Sequence, residues 1–133
     1  MFEKVLTSIG IKSLEINTLI ATKNIYPKGE IEGRINIKGG NSEQTINKVV
    51  LTLIERYDNP DKDSQFPVLD NELSAYALSN EVIIEPNDNV FEEFKFHISD
   101  LQCKSNSNSL ILKTHVFVSH SVDAYDEDEI LLK

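Results

Sequence analysis

Apolar residues along this chain change their spacing after the first ten positions. Phe2, Val5, Leu6 and Ile9 fall at i, i+3, i+4 and i+7, so all four share one face of a short amphipathic helix within residues 1–10 that ends near Gly10. From there the period is two. Leu14, Ile16 and Ile20 share one parity in a first strand ending near Lys23. In "YPKG", Pro27 suits the second position of a type I turn and Gly29 the fourth, so the chain reverses. Ile31, Ile35 and Ile37 then point one way while Glu32, Arg34, Asn36 and Lys38 point the other, as in a strand with one face on a core and one in water. Gly33, on the inward parity, predicts a close backbone approach or a bulge.

A second turn in "KGGNSEQT" leads to "INKVVLTLIERY", where Val49, Leu51 and Leu53 share a parity while Val50 and Ile54 are apolar on the other. That pattern predicts a central strand buried on both sides for part of its length. The polar "DNPDKDSQFP" reads as a hairpin loop or irregular connection. Strands follow in "ELSAYALS" and "EVIIE", then a turn in "EPNDN" and an alternating Phe94, Phe96, Ile98 strand. After the loop "SDLQCKSNSNS", Leu110, Leu112, Val116 and Val118 share a face. The acidic "DAYDEDEILLK" ends in an apolar triplet, Ile130 to Leu132, that predicts a short last edge strand. Seven or eight short strands without alternating helices favour an all-β fold of two packed antiparallel sheets.

Composition narrows the class. At 133 residues and 40% hydrophobic content the chain, residues 1–133, is expected to form one domain around a single core. No apolar run approaches the roughly 18–20 residues of a spanning helix, and "MFEKVLTSIG" places Glu3 early and lacks a clear cleavage site. A cytoplasmic protein without membrane insertion is expected. Cys103 stands alone and can form no internal disulfide. Residues 1–57 carry eight Lys/Arg against six Asp/Glu, whereas residues 58–133 carry five against sixteen, giving the net −9. Such a balance repels phosphate backbones and anionic headgroups, so nucleic acid is not expected as a partner.

Catalytic chemistry leaves little trace. In a strand, positions 115 and 120 point to opposite faces about 16 Å apart, so His115 and His120 do not share a metal, and His97 falls on the outward parity of its strand. No serine or cysteine sits in a nucleophile turn, and Gly39 and Gly40 lack the rest of a phosphate-cradling loop. No enzyme activity, cofactor or metal is therefore expected. Asp58, Asp61, Asp63 and Asp123, Asp126, Asp128 repeat a D-x-x-D-x-D spacing. Taking Asp61 as first ligand puts Glu72 twelfth, but Phe66 replaces the glycine a calcium loop requires. Solvated loops that keep edges from pairing are the main reading, with a non-standard cation site between loops as the alternative. Tyr57, Tyr76 and Tyr125 are the candidate platforms if the sandwich binds a small ligand or carbohydrate.

"SIGI", then "YPKGEIEGRINIKGGNSEQTINKVVLTLIERY", "VIIEPND" before a Phe-rich strand, and "SVDAYDEDEI" resemble, in the same order, the amino-terminal half of the bacterial sporulation-control proteins of the Spo-zero-M type. The resemblance implies an arrestin-like two-sheet antiparallel β-sandwich, here with the short N-terminal helix, and no catalytic residues. It also implies a regulatory adaptor acting through protein–protein interaction in a cytoplasmic stress or developmental pathway. Two departures stand out: Lys28 is inserted where relatives read Pro-Gly-Glu, and the segment around "CKSNSNS" is more polar. Relatives continue into a second sandwich domain, whereas this sequence stops at Lys133, so a surface they cover is expected to be free for a partner or a homodimer. The candidate partner-binding residues are Phe2, Val5, Leu6 and Ile9 on the helix and Ile130, Leu131 and Leu132 at the end.

Overall fold

A computed structural model describes residues 14–22, 24–26, 28–79, 81–98, 101–105 and 108–133. The described residues contain no helix, and the helix expected within residues 1–10 lies outside them. Nine strands form: β1 (Glu15–Ile20), β2 (Asn24–Ile25), β3 (Glu30–Lys38), β4 (Gln44–Asp58), β5 (Val68–Leu78), β6 (Val82–Ile84), β7 (Asn89–His97), β8 (Ser109–Val118) and β9 (Ala124–Leu132). They build a three-stranded sheet, β1-β3-β7, and a six-stranded sheet, β2-β9-β8-β4-β5, in which β6 continues the β5 side of β4. Every pairing is antiparallel except that of β2 with β9.

The period-two pattern becomes two stacked layers. Burial in β8 alternates without a break, with Leu110, Leu112, Thr114, Val116 and Val118 inward. Ile31, Ile35 and Ile37 from β3 and Phe94 and Phe96 from β7 meet them, and burying each such side chain contributes roughly 1.5–3 kcal/mol. β4 is the central strand its two-sided pattern predicts, between β8 and the β5/β6 side. Its register shifts against β8 between Ile46 and Lys48 and against β5 between Leu53 and Ile54. Bulges of this kind increase local twist and bend the sheet.

Three details differ from the periodic reading. The turn at "YPKG" closes with Gly29 N–H donating to the Tyr26 carbonyl at 2.9 Å, but Lys28 has φ 63°, so its third position has the left-handed backbone of a type II rather than a type I turn. Between β1 and β3 the chain leaves the smaller sheet to add β2 beside the end of β9. Most important, β9 is a full strand from Ala124, not a terminal triplet. Its inward parity reads Ala124, Asp126, Asp128, Ile130, so two carboxylates occupy positions where a strand of this kind ordinarily carries apolar residues. The close approach expected at Gly33 is present: a Cβ there would lie 2.4 Å from the Leu19 carbonyl oxygen and 2.8 Å from the Phe94 ring.

Candidate interaction surfaces

The outer face of the six-stranded sheet is hollowed into a groove of about 710 Å³. Its floor is Val50, Thr52 and Ile54 of β4; the sheet around it carries one extra residue in β4, Asn47 against β8, and one in β5, Leu73 against β4. At one end the His115 ring lies between Phe117, at 3.7 Å between ring centres, and Tyr125, at 4.3 Å. Phe117 follows His115 by two residues on β8, and Tyr125 is its cross-strand partner on β9. Lys48 Nζ lies 4.6 Å from the centre of the Phe117 ring. Asp123, in the β8–β9 turn, accepts from the Val118 N–H at 2.9 Å and lies 2.8 Å from His115 Nε2. Burial alone would raise its pKa, but the Val118 and His115 contacts outweigh that and lower it. At the other end Arg56 holds Asp70 through two hydrogen bonds, 2.7 and 3.1 Å, and Glu127 through two of 3.2 Å. The Arg56 hydrogen bonds keep Asp70 below the usual carboxylate range.

A second polar region lies where β1 of one sheet faces β9 of the other. Thr18 Oγ1 and Thr114 Oγ1 are 2.8 Å apart in the core, and Thr18 N–H donates to Asp126 Oδ2 at 2.8 Å. Asp128 Oδ2 is buried there without a hydrogen-bond partner, and burial together with the Asp126 charge pushes the Asp128 carboxyl up to about 6. At one end of the sandwich, the buried Glu55 carboxylate accepts from Asn71, the Lys104 N–H, and the N–H and hydroxyl of Ser105. That set ties the polar 101–105 loop to β4.

The third surface is the strand edge at β5. Its main chain bonds to β4 and, among the described residues, to nothing on its other side. Tyr76 on β5 stacks on Phe96 of β7 at 5.1 Å, closing the sandwich beneath this edge.

Several residues singled out in the sequence come to separate places. Ile130 is 1% exposed in the core and Leu132 packs against it, which leaves Leu131, at 42%, as the exposed member of the terminal triplet. Phe2, Val5, Leu6 and Ile9 lie outside the described residues. Of the two aspartate triplets, Asp58 ends β4, Asp61 and Asp63 stay in the β4–β5 loop, Asp123 joins His115, and Asp126 and Asp128 enter the β1–β9 region; among the described residues no three potential metal ligands converge. Tyr76 is spent on packing, whereas Tyr125 is 63% exposed beside the groove. The His115–Asp123 pair is not visible as a pair in the sequence, because the two are eight residues apart and only the β8–β9 turn, residues 119–123, brings them together. Counting parity back from Ile130 would have placed Asp126 and Asp128 inward.

Comparison with known proteins places the chain. Residues 2–133 match the family model described as SpoOM protein, and the chain belongs to that family. It is 22% identical over 133 residues to the sporulation-control protein spo0M of Bacillus subtilis strain 168, covering 99% of this chain and 51% of that protein. The crystal structure of the Bacillus subtilis sporulation control protein Spo0M superposes with a TM-score of 0.77 at 20% identity, over 91% of this chain and 49% of that one. The chain thus spans about half the length of these relatives, and the two-sheet β fold is shared.

Proposed function

Taking membership of a sporulation-control family as the premise, we propose that this domain is a non-enzymatic regulatory adaptor working through protein–protein contact in a cytoplasmic stress or developmental pathway. A partner strand adding to the edge of β5 is the physical route. One observation carries it: of the eleven residues of β5 all but Leu73 pair with β4 on one side, and among the described residues the other side is unpaired. Main-chain hydrogen bonds along such an edge supply affinity, and alternate side chains supply choice. Photo-crosslinking in the native cell tests this, with the reactive side chain at Ala75 on β5 or, as control, at Glu32 on the outer face of the smaller sheet. Discrete protein adducts from position 75 and none from position 32 are expected. Adducts from position 32 alone would overturn the edge reading.

A second reading, a small-ligand or carbohydrate-binding sandwich, is favoured by Tyr125, exposed beside a groove whose walls also carry Lys113 and Glu127. Glycan-array binding that disappears in Tyr125→Ala would establish it; a blank array would dismiss the carbohydrate version.

A further inference from the structure

The free edge of β5 has two unlike sides, and their chemistry describes what it would accept. Leu73, Tyr76 and Leu78 point inward and are only partly buried against the core, so apolar surface remains at the rim. Asp70, Glu72, Ala75 and Ala77 point outward and are exposed. Asp70 is held by Arg56, whereas Glu72 engages no side chain among the described residues. The surroundings share that sign. Residues 58–97, which contain β5, β6 and β7 with their connections, hold ten carboxylates against two lysines, Lys62 and Lys95.

Two consequences follow from the same charges. A second copy of β5 laid along this edge brings acidic strands together, and like charges placed opposite one another are destabilising. A cationic strand meets the opposite situation, because the field attracts it before contact and a cross-strand Lys–Glu pair stabilises it after.

We propose that the β5 edge accepts an extended segment of a partner protein in which apolar residues alternate with Lys or Arg. Its apolar side chains cover Leu73, Tyr76 and Leu78, and its cations lie beside Glu72 on the outer face. The proposal rests on the edge reading above and adds the partner's chemistry to it.

The test uses fluorescein-labelled nine-residue peptides and fluorescence anisotropy at low ionic strength, with the full chain. One peptide alternates Lys and Val, a second alternates Glu and Val, and a third is the Lys–Val peptide N-methylated at two consecutive central residues. The Lys–Val peptide is expected to bind at least tenfold more tightly than the other two, to weaken as salt is added, and to lose about fivefold against Glu72→Lys. Equal binding of the Glu–Val and Lys–Val peptides, with the Lys–Val binding abolished by N-methylation, would overturn the inferred chemistry while leaving strand addition standing. Unchanged binding of the N-methylated peptide would overturn strand addition itself, since only surface attraction then remains. No binding by any peptide up to about 1 mM would overturn the inference.

Discussion

Asp128→Asn should make this domain more stable at neutral pH and leave it unchanged in acid well below pH 4. In the fold the Asp128 carboxyl is pushed up to about 6, first by burial and then by Asp126, against an ordinary value of 3.8. The protonated form is therefore the one the fold prefers. A carboxyl raised in this way contributes fully below about pH 4, and the contribution is lost as pH rises through 6; above that the charged group is a fixed penalty. At 1.36 kcal/mol per pH unit the full shift would be about 3 kcal/mol. The site is only partly buried, so solvent screening leaves about 1 kcal/mol. Asparagine is nearly isosteric with the protonated acid and carries no charge for burial and Asp126 to penalise. The variant should thus melt about 3–5 °C above wild type at pH 7.5 and within a degree of it at about pH 3, below the ordinary carboxylate value. Thermal unfolding followed by circular dichroism at both pH values, with the Asp128 side-chain carbon titrated by NMR, reads this directly. An equal shift at both pH values, or a variant less stable at pH 7.5, would refute the reasoning.

Three further substitutions probe the same architecture. Glu55→Gln should cost about 2 kcal/mol, since it sets an amide against donors from Lys104 and Ser105, and hydrogen exchange at those two amides should accelerate. Burial raises the Glu55 pKa, but Asn71 and the loop donors outweigh it and lower it below 4.5, so its stabilisation is present above that value and fades in acid. The gap between Glu55→Gln and wild type should narrow accordingly in urea unfolding below pH 4. Thr18→Val should cost about 1–2 kcal/mol by stranding the Thr114 hydroxyl, whereas the double variant Thr18→Val/Thr114→Val should recover most of that in a double-mutant cycle. Gly33→Ala should lower stability by about 1–3 kcal/mol in the same unfolding assay, because its Cβ meets the Leu19 backbone, which cannot swing aside as a side chain can.

How much of this was legible in the sequence depended on whether the determinant was local. β8 was readable throughout, because strict alternation of Leu110, Leu112, Val116 and Val118 admits one inward face. β4 was readable as central from its two-sided apolar pattern. β2 left no local signal, since its two residues pair with Leu131 and Leu132 from the far end of the chain. β9 carries a weak sequence signal because its inward positions 126 and 128 are aspartates, and an alternating strand with charged residues on both faces looks like a solvated tail. Their burial becomes intelligible only when β1 supplies the Thr18 N–H across the sandwich. The aromatic end of the groove is half legible: Tyr125 is a candidate platform from the sequence, but its tilted contact with His115 depends on the β8–β9 register.

The two long sides of the sandwich are closed by different physics, and that difference decides where a partner strand can enter. Along the β1–β9 side, the hydroxyls of Thr18 and Thr114 and the carboxylate of Asp126 join the layers, and Thr18 N–H is already taken by that carboxylate. A strand arriving there would have to displace a charge-assisted bond and leave carboxylates with nothing to accept. Along the β5–β7 side the closure is Tyr76 on Phe96, an aromatic contact that uses no main-chain group. Among the described residues, the backbone donors and acceptors on the outer side of β5 remain for a newcomer, and Leu73, Tyr76 and Leu78 at the rim offer it apolar surface to cover. The polar side holds the layers in register while the apolar side leaves an edge to be used.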